Sequence, residues 1–323
     1  MSAPLDVSVI VCAYTEDRWN DLVAALESLR RQVVPPREII LVVDHNPTLL
    51  ERARARFPEI AILENGGRRG LADARNSGVA AARGAIVAFL DDDAAAAPDW
   101  TTQLLAGYAD PGVVGVGGDI APRWQQERPA WFPREFDWVV GCTYRGMPSG
   151  AAPVRNLIGA NMSFRREVFE VAGLFRSQMG RIGTHPVGCE ETELCIRVGQ
   201  RWPGAILLYQ PSARVHHHVP PARGRWSYFR ARCYGEGLSK AQVRQFVGAG
   251  AGLSSERAYA LRTLPLGVAA GLAETARGDG SGLLRAGAIV AGLAITTAGF
   301  VRGALQSRAR RFELFEWPPR RAA

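Results

Sequence analysis

The chain has 323 residues, 47% of them hydrophobic and 22% charged, which excludes a disordered chain or a coiled coil and leaves room for one large domain or two small ones. Its formal charge of +8 suggests a nucleic-acid partner, but the charge is unevenly placed: 23 arginines face 25 acids through Pro220, and 16 basic residues face 6 acids beyond it. The first two thirds are slightly acidic, so no nucleic acid is expected as a partner.

Lys240 is the only lysine, so an arginine habit of the whole chain explains the basic residues as readily as phosphate chemistry does. The five cysteines, Cys12, Cys142, Cys189, Cys195 and Cys233, are odd in number and include no C-x-x-C pair. That pattern suits reduced structural thiols in a cytosol. The start MSAPLDVSVIVCAY has no basic region before a short apolar run, so a cytoplasmic protein is expected.

In chain order, Val7 to Ala13 reads as a buried strand and Trp19 to Gln32 as an amphipathic helix with Leu22, Leu26 and Leu29 on one face. Glu38 to Val43 is a second strand ending in Asp44, residues 48–57 a helix, Ile60 to Leu63 a short strand and Leu71 to Arg83 an Ala-rich helix. Ala85 to Leu90 is a further strand running into Asp91, Asp92 and Asp93. Alternating strands and helices with short links predict an α/β, Rossmann-like, mostly parallel sheet flanked by helices. Residues 98–160 are less regular, with clustered aromatics from Trp124 to Tyr144. Beyond Pro220 the pattern is helical, and Ala286 to Val301 carries no charge. The division expected is a catalytic domain over 1–220 and a basic, mainly helical region over 221–323.

Ligands of such sheets sit outside the carboxyl ends of the strands, where Asp44 and Asp91 to Asp93 converge. Three aspartates in a row repel one another unless a cation joins them. Oxygen ligands suit Mn2+ or Mg2+, which bridge to substrate phosphates. Side chains leaving a strand alternate, so Asp91 and Asp93 share a face and Asp92 does not. A solvated acidic turn followed by an alanine linker is the plainer alternative.

VSVIVCAYTEDR, LVVDHNP, GLADARNSGVAAARG, FLDDDA, GANMSFRRE and CEETELCIR follow in that order. Together they resemble family 2 glycosyltransferases, inverting enzymes of the GT-A fold, over roughly residues 6 to 235. The resemblance implies a nucleotide-sugar donor, of the UDP type, with Ala13, Tyr14, Glu16, Asp44, Arg75, Asp91 and Asp92 on the nucleotide side. It places the metal on Asp93 and a late histidine, and the general base on Glu191. His217 lies in a Val-x-His-x-Val frame and is the first choice for that histidine, with His216 and His218 still open. Asp44-His45-Asn46-Pro47 departs from the family's Asp-Asp-Gly-Ser, and Glu190-Glu191 from its Glu-Asp.

Glu190, Glu191 and Glu193 also read as the first turn of a helix running to Arg201, where acids match the dipole. Asn161, Arg165, Glu190 and Trp138 are candidates for the acceptor side, although core packing is the commoner fate of such aromatics. The acceptor is a hydroxyl compound: saccharide, lipid-linked or small molecule. The uncharged stretch Ala286 to Val301 within residues 283–305 is shorter than the about 20 residues that a membrane span needs, so at most it is a short or tilted span. Their small residues, and the later mix of arginines and aromatics, suit the inner face of a cell membrane or a homodimer contact. Competing readings are a sugar nucleotidyltransferase, which needs a glycine-rich loop that Cys12 to Asn20 lacks, and a non-catalytic nucleotide-sugar-binding scaffold.

Overall fold

The computed structural model describes residues 5–177, 179–181, 183, 187–248 and 254–309. The first strands and helices alternate: β1 (Val7–Ala13), α1 (Trp19–Arg30), β2 (Glu38–Val43), α2 (Pro47–Arg56), β3 (Ala61–Glu64), α3 (Leu71–Ala81) and β4 (Ile86–Asp91). The less regular middle contains β5 (Ala94–Ala96), α4 (Trp100–Ala106), β6 (Val113–Trp124), β7 (Ala152–Pro153), β8 (Asn161–Arg165) and α5 (Glu167–Val171). Then come α6 (Glu190–Arg201), β9 (Ile206–Val219), α7 (Trp226–Val247), α8 (Ser254–Ala258), α9 (Leu264–Ala276) and α10 (Ser281–Ala309).

Among the described residues, nine strands form one sheet in the order β3-β2-β1-β4-β8-β6-β9-β5, with β7 also on β9. The expected parallel pairing holds for β3, β2, β1 and β4, while β8 enters antiparallel to β4 and β6. The sheet as a whole is therefore mixed, because β8 reverses direction between β4 and β6. Alternation along β1 divides the core: Val7, Val9 and Val11 pack with Leu22 and Leu26 of α1, whereas Ile10 faces Ala72 and Val79 of α3. Such two-sided burial is what the near-continuous apolar run encodes.

The alanines after the acidic triplet make β5, which pairs antiparallel with β9 so that Ala94 lies opposite His217. His218 N donates to Asp93 O at 2.8 Å. This pairing carries the histidines to the aspartates, and no local pattern announces it. The turn after β2 is a helix start: Asn46 Oδ1 accepts from Leu49 N at 3.0 Å and Pro47 is the first residue of α2.

Helix α10 packs on α7 and α9. A Cβ on Gly237 of α7 would lie 2.1 Å from Thr296 O, and one on Gly299 would lie 2.2 Å from Tyr234 O. The small residues thus serve contacts inside this chain, and Gly292 faces the Phe136 ring. Over Ser281–Gln306 the helix is long and apolar enough to cross a membrane by length and composition, with mean hydropathy 1.6 in its most apolar 18 residues. Leu283, Leu284, Val290, Val301 and Leu305 point outward and are exposed. The arginines and aromatics from Arg310 to Arg321 lie outside the described residues.

Candidate active site

Asp91, Asp93 and His217 each offer one ligand atom within 4.8 Å of the other two. Two carboxylates and an imidazole at the end of β4 and on β9 can hold a divalent cation. Alternation along β9 buries His217 between Val215 and Val219, while His216 is exposed and His218 turns to Asp21 at 2.8 Å. His217 Nε2 stands 3.0 Å from Asp93 Oδ1, and Arg223 Nη2 donates to Asp93 Oδ2 at 2.7 Å. Burial would raise the Asp93 carboxyl, but His217 first, then Arg223 and Arg18, hold it well below the usual carboxylate range. The positive charge of Arg223 and Arg18 beside it keeps this buried carboxylate ionised, the form that a metal ligand needs.

The expected alternation separates Asp92, which is buried on Arg18 at 2.8 Å rather than in the metal group. Burial pushes its carboxyl up, against the pull of Arg18. Asp91 joins the metal group, a role that the family resemblance gives to Asp93 and a histidine alone.

Arg75 is no surface arginine. It is buried, donates to Glu190 Oε1 at 2.7 Å and to Gly159 O at 3.1 Å, and stands 3.4 Å from Asp91. Glu190 is thereby neutralised, whereas Glu191 makes no ion pair among the described residues. Burial, then the neighbouring charge of Glu190, pushes the Glu191 carboxyl up to about 8. Both glutamates open α6, as the helix reading predicts, and Cys189 before them takes a left-handed φ of 72°. Glu193, one turn on, is fully buried and held by Arg176 and Arg197, so it takes no part in the site.

Asp44 sits at the end of β2 with its oxygens engaged by Asn65 Nδ2 at 2.7 Å, Gly70 N at 2.9 Å and His45 Nδ1 at 3.0 Å. Ala13 is buried and its carbonyl accepts from Asp44 N; Tyr14 lies beneath Arg18; Glu16 is exposed on the following turn.

Two acceptor candidates are corrected. Asn161 is fully buried and all of its amide is spent in the core, accepting from Trp100 Nε1 at 2.8 Å and donating to Asp119 O and Ala213 O. Arg165, at the other end of β8, binds the carbonyls of Val113 and Tyr108. Trp124, Phe132 and Phe136 belong to the core, as the commoner fate of such aromatics predicts.

A pocket of about 370 Å3 has Asp91, Glu190 and Glu191 on one wall and Trp138 with Tyr259 on another. Trp138 Nε1 donates to the Tyr259 hydroxyl at 3.0 Å. Leu293 and Thr297 of α10 also line the pocket. Nothing in the sequence singles out Arg18, Arg181, Arg223 or Arg232, because single arginines in an arginine-rich chain carry no motif.

A half-parallel α/β sheet with an acidic metal group at its carboxyl edge, beside a pocket that also holds Glu191, is the arrangement of the GT-A class of glycosyltransferases. The chain belongs to Glycosyl transferase family 2, whose profile matches residues 8–173. It is 36% identical over 240 residues to the Glucosyl-dolichyl phosphate glucuronosyltransferase of Haloferax volcanii, covering 73% of this chain and 76% of that one. It is 26% identical over 267 residues to the succinoglycan biosynthesis protein ExoM of Rhizobium meliloti, covering 80% and 78%. Among solved structures, the mannosyltransferase PcManGT from Pyrobaculum calidifontis in complex with GDP-Man and Mn2+ matches 97% of this chain and 89% of that one. Its TM-score is 0.59 at 22% identity, a likeness of fold. The chain is a glycosyltransferase.

Proposed function

We propose an inverting, metal-dependent transfer of a sugar from a UDP-type donor to a hydroxyl of a lipid-linked saccharide. The observation that carries this reading is the placement of Glu191, outside any ion pair among the described residues and with a raised pKa, in one pocket with Asp91 of the metal group. A carboxylate whose pKa approaches the working pH suits a general base.

Asp91, Asp93 and His217 would hold the cation; the imidazole favours manganese over magnesium, which prefers oxygen alone. A cation there supplies positive charge to the departing diphosphate. Glu191 takes the acceptor hydroxyl's proton as that oxygen attacks the anomeric carbon on the face opposite the diphosphate. Arg75 holds Glu190 ready to accept a hydrogen bond from the acceptor, and Trp138 offers an apolar ring face to a sugar. Ala13, Tyr14, Glu16, Asp44 and Asp92 form the nucleotide side in this reading. Titration of UDP, GDP and dTDP with and without manganese should show metal-dependent binding of one of them. Binding of none overturns the reading.

Two observations support a lipid-linked acceptor. The relative from Haloferax volcanii is named for glucosyl-dolichyl phosphate. The pocket is also lined by Leu293 and Thr297, which are themselves exposed on α10. Residues 1–220 are then the transferase body and 221–323 a helical region that rests on the inner face of the cell membrane, with Arg223 and Arg232 reaching back into the site. Leu284 and Val290 are 58% and 59% exposed. Burying such a side chain contributes about 1.5–3 kcal/mol, so two of them decide whether an interfacial helix stays bound. Leu284→Glu with Val290→Glu should abolish co-flotation with lipid vesicles and leave the melting temperature unchanged. A wild-type protein that ignores vesicles but forms a dimer dissolved by the same pair of changes would make this face a dimer contact.

A further inference from the structure

Part of the pocket wall is charged, and the proposed chemistry leaves it without a role. Glu236 and Lys240 stand one turn apart on α7, Glu256 is on α8 and Arg155 follows β7; all four line the pocket together with Glu191. Arg155 grips Glu256 twice, Nη1 to Oε2 at 2.6 Å and Nη2 to Oε1 at 2.8 Å. Lys240 Nζ bridges Glu256 Oε1 at 2.7 Å and Glu236 Oε1 at 3.2 Å. The quartet is tied to the start of α6, because Cys189 Sγ donates to Glu236 Oε1 at 3.5 Å and Gly188 N to Ser239 Oγ at 3.1 Å.

Two cations therefore meet two carboxylates, and burial does not discharge them. Burial would lower the Lys240 ammonium, yet Glu236 and then Glu256 raise it. Burial would likewise raise both carboxyls, but Lys240 first holds Glu236 below its ordinary value and, with Arg155, brings Glu256 down to about 2. A sugar acid or a phosphate would bring a further negative charge to cations that are already matched, and the cost of its desolvation would not be offset.

Two atoms of this wall remain unused. The contacts of Glu236 fall on Oε1, so its Oε2 accepts no hydrogen bond among the described residues. The Tyr144 hydroxyl makes none there either, and both atoms stay accessible. The Tyr144 ring packs edge-on against Tyr259 at 5.4 Å, and Tyr259 is fixed by Trp138 Nε1 and by its own bond to Glu135 O at 2.6 Å. Rigid aromatic rings beside one spare donor and one spare acceptor suit a ring that carries hydroxyls, each able to give and accept a hydrogen bond.

We propose that this wall is the subsite for the acceptor's sugar, and that Arg155, Glu236, Lys240 and Glu256, with Tyr144, select an uncharged hexose over a sugar acid or a bare phosphate. This rests on the transferase reading above and narrows its acceptor. Glu236 Oε2 accepts from a sugar hydroxyl and the Tyr144 hydroxyl donates to another. Because Glu236 also holds Cys189, a sugar seated on it lies against the turn that presents Glu191.

The test is a ligand-observed NMR titration of the full chain, with UDP and manganese present, using methyl glucoside, galactoside and mannoside against methyl glucuronide and methyl phosphate. At least one neutral hexoside should bind more tightly than either anion. Tyr144→Phe, which removes one hydroxyl, should weaken that hexoside about 3- to 10-fold. Glu236→Gln should weaken it about 10- to 100-fold and, by leaving Lys240 in excess, should raise the affinity for the glucuronide. Tighter binding of the glucuronide or of methyl phosphate by the unaltered protein overturns the proposal, and so does hexoside binding that neither variant changes. Nucleotide binding with manganese but no hexoside binding removes the subsite and leaves the transferase reading. Hexoside binding that depends on Tyr144 and Glu236 in a protein that binds no nucleotide leaves the subsite standing and removes the donor reading.

Discussion

Replacing Glu191 by glutamine is expected to lower sugar transfer by about 10²- to 10⁴-fold, the share of a well-placed general base, while nucleotide binding with manganese stays close to that of the wild type. The amide keeps the size of the side chain and removes only the ability to take a proton. Arg75 and Glu190 remain paired at 2.7 Å, so the start of α6 keeps its shape. The pH dependence has a fixed sign. The Glu191 carboxyl is pushed up to about 8 by burial and by Glu190, so the rate should climb as pH rises toward that value and level off above it. A proton held in the folded state and lost in the unfolded one favours folding at low pH. This group's contribution therefore declines from the ordinary 4.5 up to about 8. Glu191→Gln should remove both the rate limb and that decline, which a pH-rate profile and melting curves at pH 6 and 9 would read. Turnover that survives the substitution would remove Glu191 as the base.

Asp93→Asn should abolish manganese binding and transfer together and also weaken the fold. The carboxylate meets His217, Arg223 and Arg18 at 3.0, 2.7 and 3.4 Å, all around one buried group. Breaking a buried pair by removing one partner costs about 3–5 kcal/mol, because the other charge is left without compensation. The Asp93 carboxyl is held well below 3.8, so its stabilising contribution is complete at neutral pH and is lost only as pH falls through that low value. The loss in the variant should accordingly be the same at pH 6 and pH 8 by urea denaturation. Asp92→Asn provides the contrast: it breaks the bond to Arg18 outside the metal group, and manganese titration should change little. Equal loss of manganese by both variants would refute the division of labour between the two acids.

Much of the site is legible in the order of the residues. Val7 to Ala13, Glu38 to Val43 and the strand leading into Asp91 are encoded by runs of apolar residues, whose burial depends on local periodicity. Alternation alone separates Asp92 from its neighbours and favours His217 over His216 and His218. Asn161 shows the limit. A conspicuous polar residue in GANMSF suggests an acceptor contact, yet its amide closes a gap between Trp100, Asp119 and Ala213, which come from three other elements. The alanines after the acids look like a linker because a three-residue strand has too few side chains to show a period.

Length, composition and apolar periodicity by themselves determined an α/β sheet, its first four strands, the acidic edge and the helical, basic last third. Tertiary structure alone decided that the sheet turns mixed at β8 and that β5 delivers His217 to Asp93. It also decided that Arg75 neutralises Glu190 rather than Glu191, and that arginines from beyond Pro220 return to the site. The physical reason is range. Alternation and helical spacing are properties of neighbouring residues, whereas an ion pair such as Arg223 with Asp93 joins positions 130 residues apart, and only the packed chain brings them to 2.7 Å.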